Sequence, residues 1–271
     1  STSQNSVHRL AAQATFLSEP IELQTPTATL YGTLLRPQSA SSVPVVLLIA
    51  GSGPTDRNGN SLILSGPNNS LKLLAEGLAT HGIASVRYDK RGVGETGKAM
   101  RLVAEKANTK LREEDLRFEG YIDDAVLWGK KLRADHRFST ITVIGHSEGS
   151  LIGMVAAQRM HARAYVSIAG EGRPMQVILL EQVKGSLPPD LLKTTEDILN
   201  QLATGKTVET VPPALNIWFR PSIQQYMISW FHYNPSTEIA GMSMPVLIVQ
   251  GTTDIQVSPQ DATLLSAANP K

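Results

Sequence analysis

Five consecutive residues, Gly145-His146-Ser147-Glu148-Gly149, set a serine between two glycines in the pattern G-x-S-x-G. The pattern alone is common, and its plain alternative is a serine capping a helix. Its surroundings say more. Residues 140–144 are β-branched and apolar and predict a strand running in, and 150–160 predict a helix running out. A serine on such a strand–turn–helix elbow presents its hydroxyl as a nucleophile, and the flanking glycines let the turn close without side-chain collisions. The main-chain N–H of Glu148, at the helix N-terminus, then faces negative charge building on a carbonyl oxygen. A second N–H donor is expected from Ala50-Gly51-Ser52-Gly53-Pro54, small residues that follow a predicted strand at 45–49. Ser52 is the favoured donor; Gly53 is the lesser choice and a substrate contact. A phosphate loop competes for this segment, which lacks the Gly-Lys-Ser/Thr ending such loops need.

Groups so far apart in the chain need a scaffold. Short apolar runs at 45–49, 83–88, 141–144, 165–168 and 245–249 alternate with helical patterns at 70–81, 120–133, 151–160 and 258–268. That alternation predicts a parallel sheet covered by helices, and uninterrupted apolar runs fit strands buried on both faces. Two short strands joined by a turn at Pro26 are expected over 16–36. The rhythm breaks at Gly170: 171–240 offers no strand, helical stretches at 175–184 and 190–203, and six aromatics between Trp218 and Tyr233. It reads as a helical unit inserted into an α/β core.

Composition narrows the function classes. The 271 residues hold 25 Lys+Arg against 24 Asp+Glu, which excludes the basic footprint of a phosphate-tracking nucleic-acid binder. There is no cysteine, hence no disulfide, thiolate metal site or cysteine nucleophile. No apolar run approaches the ~20 residues of a membrane-spanning helix. The chain starts with Ser rather than Met, which leans the reading toward an exported or periplasmic bacterial protein. No His/Asp/Glu cluster has metal-ligand spacing. Asp89, Lys90 and Arg91 follow a strand in a Gly-rich loop; Asp89 and Arg91 are expected to organise it through hydrogen bonds and a charge pair, with contact of the three to an anionic substrate as the alternative. Asp56, Arg57 and Asn58 either shape the oxyanion loop or meet the substrate. Glu113, Glu114 and Asp115 lie in a charged run and read as a solvated face.

Four blocks in chain order carry a family resemblance: 51–60, 88–94, the elbow at 145–149, and 251–257. The chain resembles serine hydrolases of the α/β-hydrolase fold, in particular bacterial esterases and the serine aminopeptidase/monoacylglycerol lipase branch. The resemblance implies a mostly parallel sheet flanked by helices, with core at 1–170 and 241–271 and a helical cap at 171–240. It implies a Ser–Asp–His triad, with Ser147 the nucleophile and Asp254, beyond the strand at 246–250, the acid that orients the base. None of the six histidines follows Asp254. His146 should point away from Ser147, His81 and His161 sit at helix ends, and only His232 belongs to the cap. The base is therefore expected beyond Lys271, with a further strand and helix. Without them the strand at 246–249 is an apolar sheet edge, which a dimer or partner segment is expected to cover.

The resulting reading is a carboxylic-ester hydrolase acting on small to medium acyl groups, with no cofactor and a small-molecule ester as partner. Trp218, Tyr226 and Trp230 are candidate walls of an acyl pocket. Two alternatives stay open. One is an aminopeptidase or amidase on the same triad, with Glu171 or Glu181 meeting the substrate amine. The other is an impaired fragment lacking its histidine.

Overall fold

A computed structural model of the chain describes residues 16–63, 66–252 and 257–270. The chain opens with a hairpin, β1 (Phe16–Gln24) and β2 (Thr29–Pro37). Its turn is closed by Thr25, whose hydroxyl donates to the Ala28 carbonyl at 2.7 Å and accepts from the Ala28 N–H at 2.9 Å. Then strands and helices alternate: β3 (Val43–Ile49), α1 (Ser70–Thr80), β4 (Ala84–Tyr88), α2 (Gly94–Lys106), α3 (Phe118–Arg133), β5 (Phe138–His146), α4 (Glu148–Arg159) and β6 (Ala164–Ile168). Five helices follow without a strand: α5 (Met175–Lys184), α6 (Pro189–Ala203), α7 (Asn216–Phe219), α8 (Pro221–Phe231) and α9 (Pro235–Ala240). The strand β7 (Val246–Val249) and the helix α10 (Pro259–Ala268) complete the described part. Among the described residues no helix is long and apolar enough to cross a membrane.

The seven strands form one sheet in the order β1-β2-β4-β3-β5-β6-β7. The pairs β1–β2 and β2–β4 are antiparallel, and every later pair is parallel. Strand β3 shows why the sheet is covered twice. Val45, Leu47 and Ile49 point into the larger core with Phe118, Trp128 and Ile152. Val46 and Leu48 point the other way, against Ala75 and Ala79 of α1. Successive side chains of a strand face opposite sides, so a run with no polar residue demands cover on both. Each fully buried Leu or Ile contributes roughly 1.5–3 kcal/mol of burial free energy.

The chain winds from β3 outward to β4 and then returns past β3 to β5. Such a reversal opens a crevice at the carboxyl ends of β3 and β5, where ligands of open α/β sheets bind. The helical segment between β6 and β7 docks beside this crevice. Trp230 of α8 stacks on Phe118 at 5.8 Å between ring centres, and the Ser229 hydroxyl accepts the Phe118 N–H at 2.8 Å. The run 110–117 is not wholly a solvated face: Glu113 accepts hydrogen bonds from Arg220 and, at 2.5 Å, from Ser222, so it ties the start of α8 to the core. Arg220 holds the Glu113 carboxyl below the ordinary carboxylate range.

Candidate active site

Strand β5 delivers Ser147 and α4 starts immediately after it. Ser147 has φ 55° and ψ −121°, a backbone conformation that L-residues rarely adopt. Holding a non-glycine residue there costs about 1–3 kcal/mol, which the surroundings must offset. They do so by pinning the residue on both sides. The Ser147 N–H donates to the Ile168 carbonyl at 3.0 Å, and the Ser147 carbonyl accepts from Ser150 at 2.9 Å. The two glycines are explained by close approach: a Cβ on Gly145 would collide with the Gly149 carbonyl, and one on Gly149 with the carbonyls of Ile49 and Ala50. The elbow therefore closes directly on the end of β3. A Cβ on Gly51 would lie 3.3 Å from the Ser147 Cβ, so the loop expected to carry the second oxyanion donor borders the nucleophile.

Two buried carboxylates flank the serine. Glu148 is 4% exposed; its Oε1 lies 3.6 Å from Lys90 Nζ and accepts the Tyr226 hydroxyl at 3.0 Å. Lys90 is itself buried, donates to the Gly51 carbonyl at 2.7 Å and sits 5.3 Å from the centre of the Tyr121 ring. Burial lowers the Lys90 ammonium from its ordinary range, and Glu148 opposes that shift. Burial, and next to it the Glu148 charge, raises the Tyr226 phenol well above its usual value.

On the other side, Ser147 Oγ donates to Glu171 Oε1 at 3.5 Å, a long contact. Burial pushes the Glu171 carboxyl up to about 7, with the negative charges of Glu148 and Asp261 adding to it. Its position is fixed by its neighbours. Asp261 of α10 accepts the Gly172 N–H at 2.9 Å and pairs with Arg173 at 3.2 Å, and Ser236 donates to the Gly172 carbonyl at 2.6 Å.

The sequence-predicted residues thus separate. Ser147, Glu148 and the Gly51-Ser52-Gly53 loop come together. Asp254 lies outside the described residues. Tyr226 reaches Glu148, Trp230 packs on Phe118, and Trp218 on α7 is 37% exposed. His81 is at the end of α1 and bonds to the Gly77 carbonyl at 2.9 Å. Asp89 and Arg91 organise the loop through hydrogen bonds and ion pairs, but with distant partners and not with each other: Asp89 accepts the N–H groups of Arg57 and Glu95 at 2.8 and 3.0 Å. Asp89 pairs with Arg57 at 2.8 Å, and Arg91 pairs with Asp124 of α3 at 2.6 Å. Asp56 accepts the N–H groups of Asn58 and Asn60 at 2.9 and 3.0 Å, so residues 56–60 shape their own loop. Lys90, read from the sequence only as a candidate contact to an anionic substrate, instead neighbours the elbow through Glu148 and the Gly51 carbonyl. A lysine directly after an apolar strand, with a carboxylate in the elbow, was the available signal.

A strained serine between a central parallel strand and its helix, at the reversal point of this strand order, is the elbow of the α/β-hydrolase fold. Residues 64–216 match the family model described as serine aminopeptidase, S33, and the chain belongs to that family. It is 29% identical over 230 residues to esterase EstD of Thermotoga maritima, covering 85% of this chain and 51% of EstD. The chain thus spans about half the length of that relative. Among solved structures, Est1E from Butyrivibrio proteoclasticus superposes with a TM-score of 0.59 at 16% identity, covering 92% of this chain and 84% of that one. The esterase domain of a Rhodothermus marinus protein gives 0.56 at 17% identity, with 93% and 83% covered. At these identities the structural likenesses concern the fold.

Proposed function

We propose that the chain is a carboxylic-ester hydrolase working through an acyl-enzyme on Ser147. The observation that carries this reading is the strained backbone of Ser147, packed against the Gly51 loop. The likeness to EstD supports the ester as the substrate class. Ser147 Oγ bonds to the acyl carbon while its proton passes to a histidine, and the carbonyl electron pair moves onto oxygen. The N–H groups of Glu148 and Ser52 stabilise that oxyanion. Collapse expels the alcohol, which takes the histidine proton. Water then repeats the sequence on the acyl-enzyme and frees the acid.

In this reading Asp254 orients the histidine base. Residues 171–240 form the cap, with Tyr226 and its aromatic neighbours on the acyl side. The test is fluorophosphonate labelling of the whole protein, with peptide mass mapping and a comparison of acyl esters with amino-acid amides. Label on Ser147 and preference for esters are expected. Label elsewhere, or turnover of amides alone, overturns the reading.

A further inference from the structure

The two oxyanion donors lie on segments far apart in the chain, Ser52 after β3 and Glu148 at the start of α4. A preorganised oxyanion hole must hold such donors within about 0.5 Å of their working positions. We propose that Lys90, from a third segment after β4, is the positioning residue that locks both donors; this rests on Ser147 being the nucleophile.

The first lock works through peptide planarity. The Gly51 carbonyl and the Ser52 N–H belong to one peptide group, which is planar and trans, so fixing the carbonyl on one side fixes the N–H on the other. Lys90 Nζ donates to that carbonyl at 2.7 Å. The second lock is the ion pair: the same ammonium lies 3.6 Å from Glu148, whose own N–H is the other donor. Tyr226, reaching across from α8, donates to the same Glu148 Oε1 at 3.0 Å. One nitrogen thus joins three core segments, and the inserted helix joins them through Glu148.

Stability alone gives a weak reason for this arrangement. Lys90 is 3% exposed and Glu148 4%, and a buried ion pair is commonly no better for stability than apolar residues of the same volume. A directional donor aimed at one chosen carbonyl is something an apolar pair cannot supply.

The experiment compares Lys90→Met and Glu148→Gln with the unaltered whole protein. It reads kcat and KM on a short-chain acyl ester, and the affinity of a trifluoromethyl ketone that adds to the serine as an oxyanionic hemiketal. Lys90→Met is expected to lower kcat by about 10²–10³, the cost of losing one oxyanion donor, with KM changed less than about threefold. Ketone affinity should fall in step with kcat/KM, a correlation that a purely structural role does not produce. Glu148→Gln keeps its backbone N–H and an acceptor for Tyr226, and should show the same split at about tenfold. It carries the test if Lys90→Met does not fold. Wild-type kcat in both variants, or reduced kcat with unchanged ketone affinity, overturns the proposal. Loss of the ketone adduct in the unaltered protein would instead strike the reading of Ser147.

Discussion

The two carboxylates beside Ser147 are alike in type and burial and opposite in company. On the β3–β4 side, Glu148 is half of an ion pair with Lys90 and is capped by a phenol. On the β6 side, among the described residues, no ion pair reaches Glu171, and its carboxyl is pushed up to about 7. The difference is one counter-charge within 4 Å. It makes one flank of the nucleophile a fixed electrostatic frame, and the other a flank whose charge changes around neutrality.

The comparison breaks at its centre if Ser147 is not the reacting atom. Ser147→Ala is expected to cut ester turnover on the order of 10⁶-fold with the fold intact. Steady-state kinetics alongside circular dichroism checks this, and retained turnover would leave both carboxylates without a role. A paired carboxylate remote from the serine sets the scale for the Glu148 flank. Asp124→Asn strips Arg91 of its charged partner while relieving the burial of the carboxylate, and denaturant unfolding should show a net loss of about 1–3 kcal/mol.

Glu171→Gln sharpens the other flank. An unfolded glutamate titrates near 4.5, and in the fold the same group titrates at about 7. The native carboxyl therefore carries no penalty below pH 4.5. The penalty grows as pH rises between the two values and is complete above 7. Replacement by Gln should stabilise the protein by about 3 kcal/mol at pH 8 and leave stability at pH 4 unchanged. A thermal-melt series against pH tests this, and equal shifts at both pH values would show that Glu171 is compensated after all. The smallest change serves as the control. Asn234 caps α9 by accepting the Ser236 N–H at 3.1 Å, and Asn234→Ala should cost about 1 kcal/mol in denaturant unfolding at every pH, because no titrating group is removed.

Where the sequence was legible, the chemistry was local. The elbow could be read because its strand, turn and helix are contiguous, and β3 because five apolar residues in a row have few homes outside a doubly covered sheet. The helix α5 matches its predicted span, 175–184, at both ends. Helix α2 was not foreseen: Gly94 and Gly97 sit in its first turns, and its apolar residues are too few for a clear period. The site's charges were harder still. That Asp89 and Arg91 organise their loop through hydrogen bonds and charge was legible; their partners, 32 and 33 positions away, were not. Spacing along the chain says little about side chains that leave the ends of different strands. Lys90 and Glu171 were individually visible, but their closeness to Ser147 follows only from strand order.

That strand order also sets a timetable. Lys90 and Gly51 are 39 positions apart, and Tyr226 lies 78 beyond Glu148. Contacts of such long sequence separation must overcome loop-closure entropy before they add any stability. A growing chain long enough to contain the serine still lacks the tyrosine that holds its neighbouring carboxylate. The nucleophile is thus synthesised well before the frame around it closes.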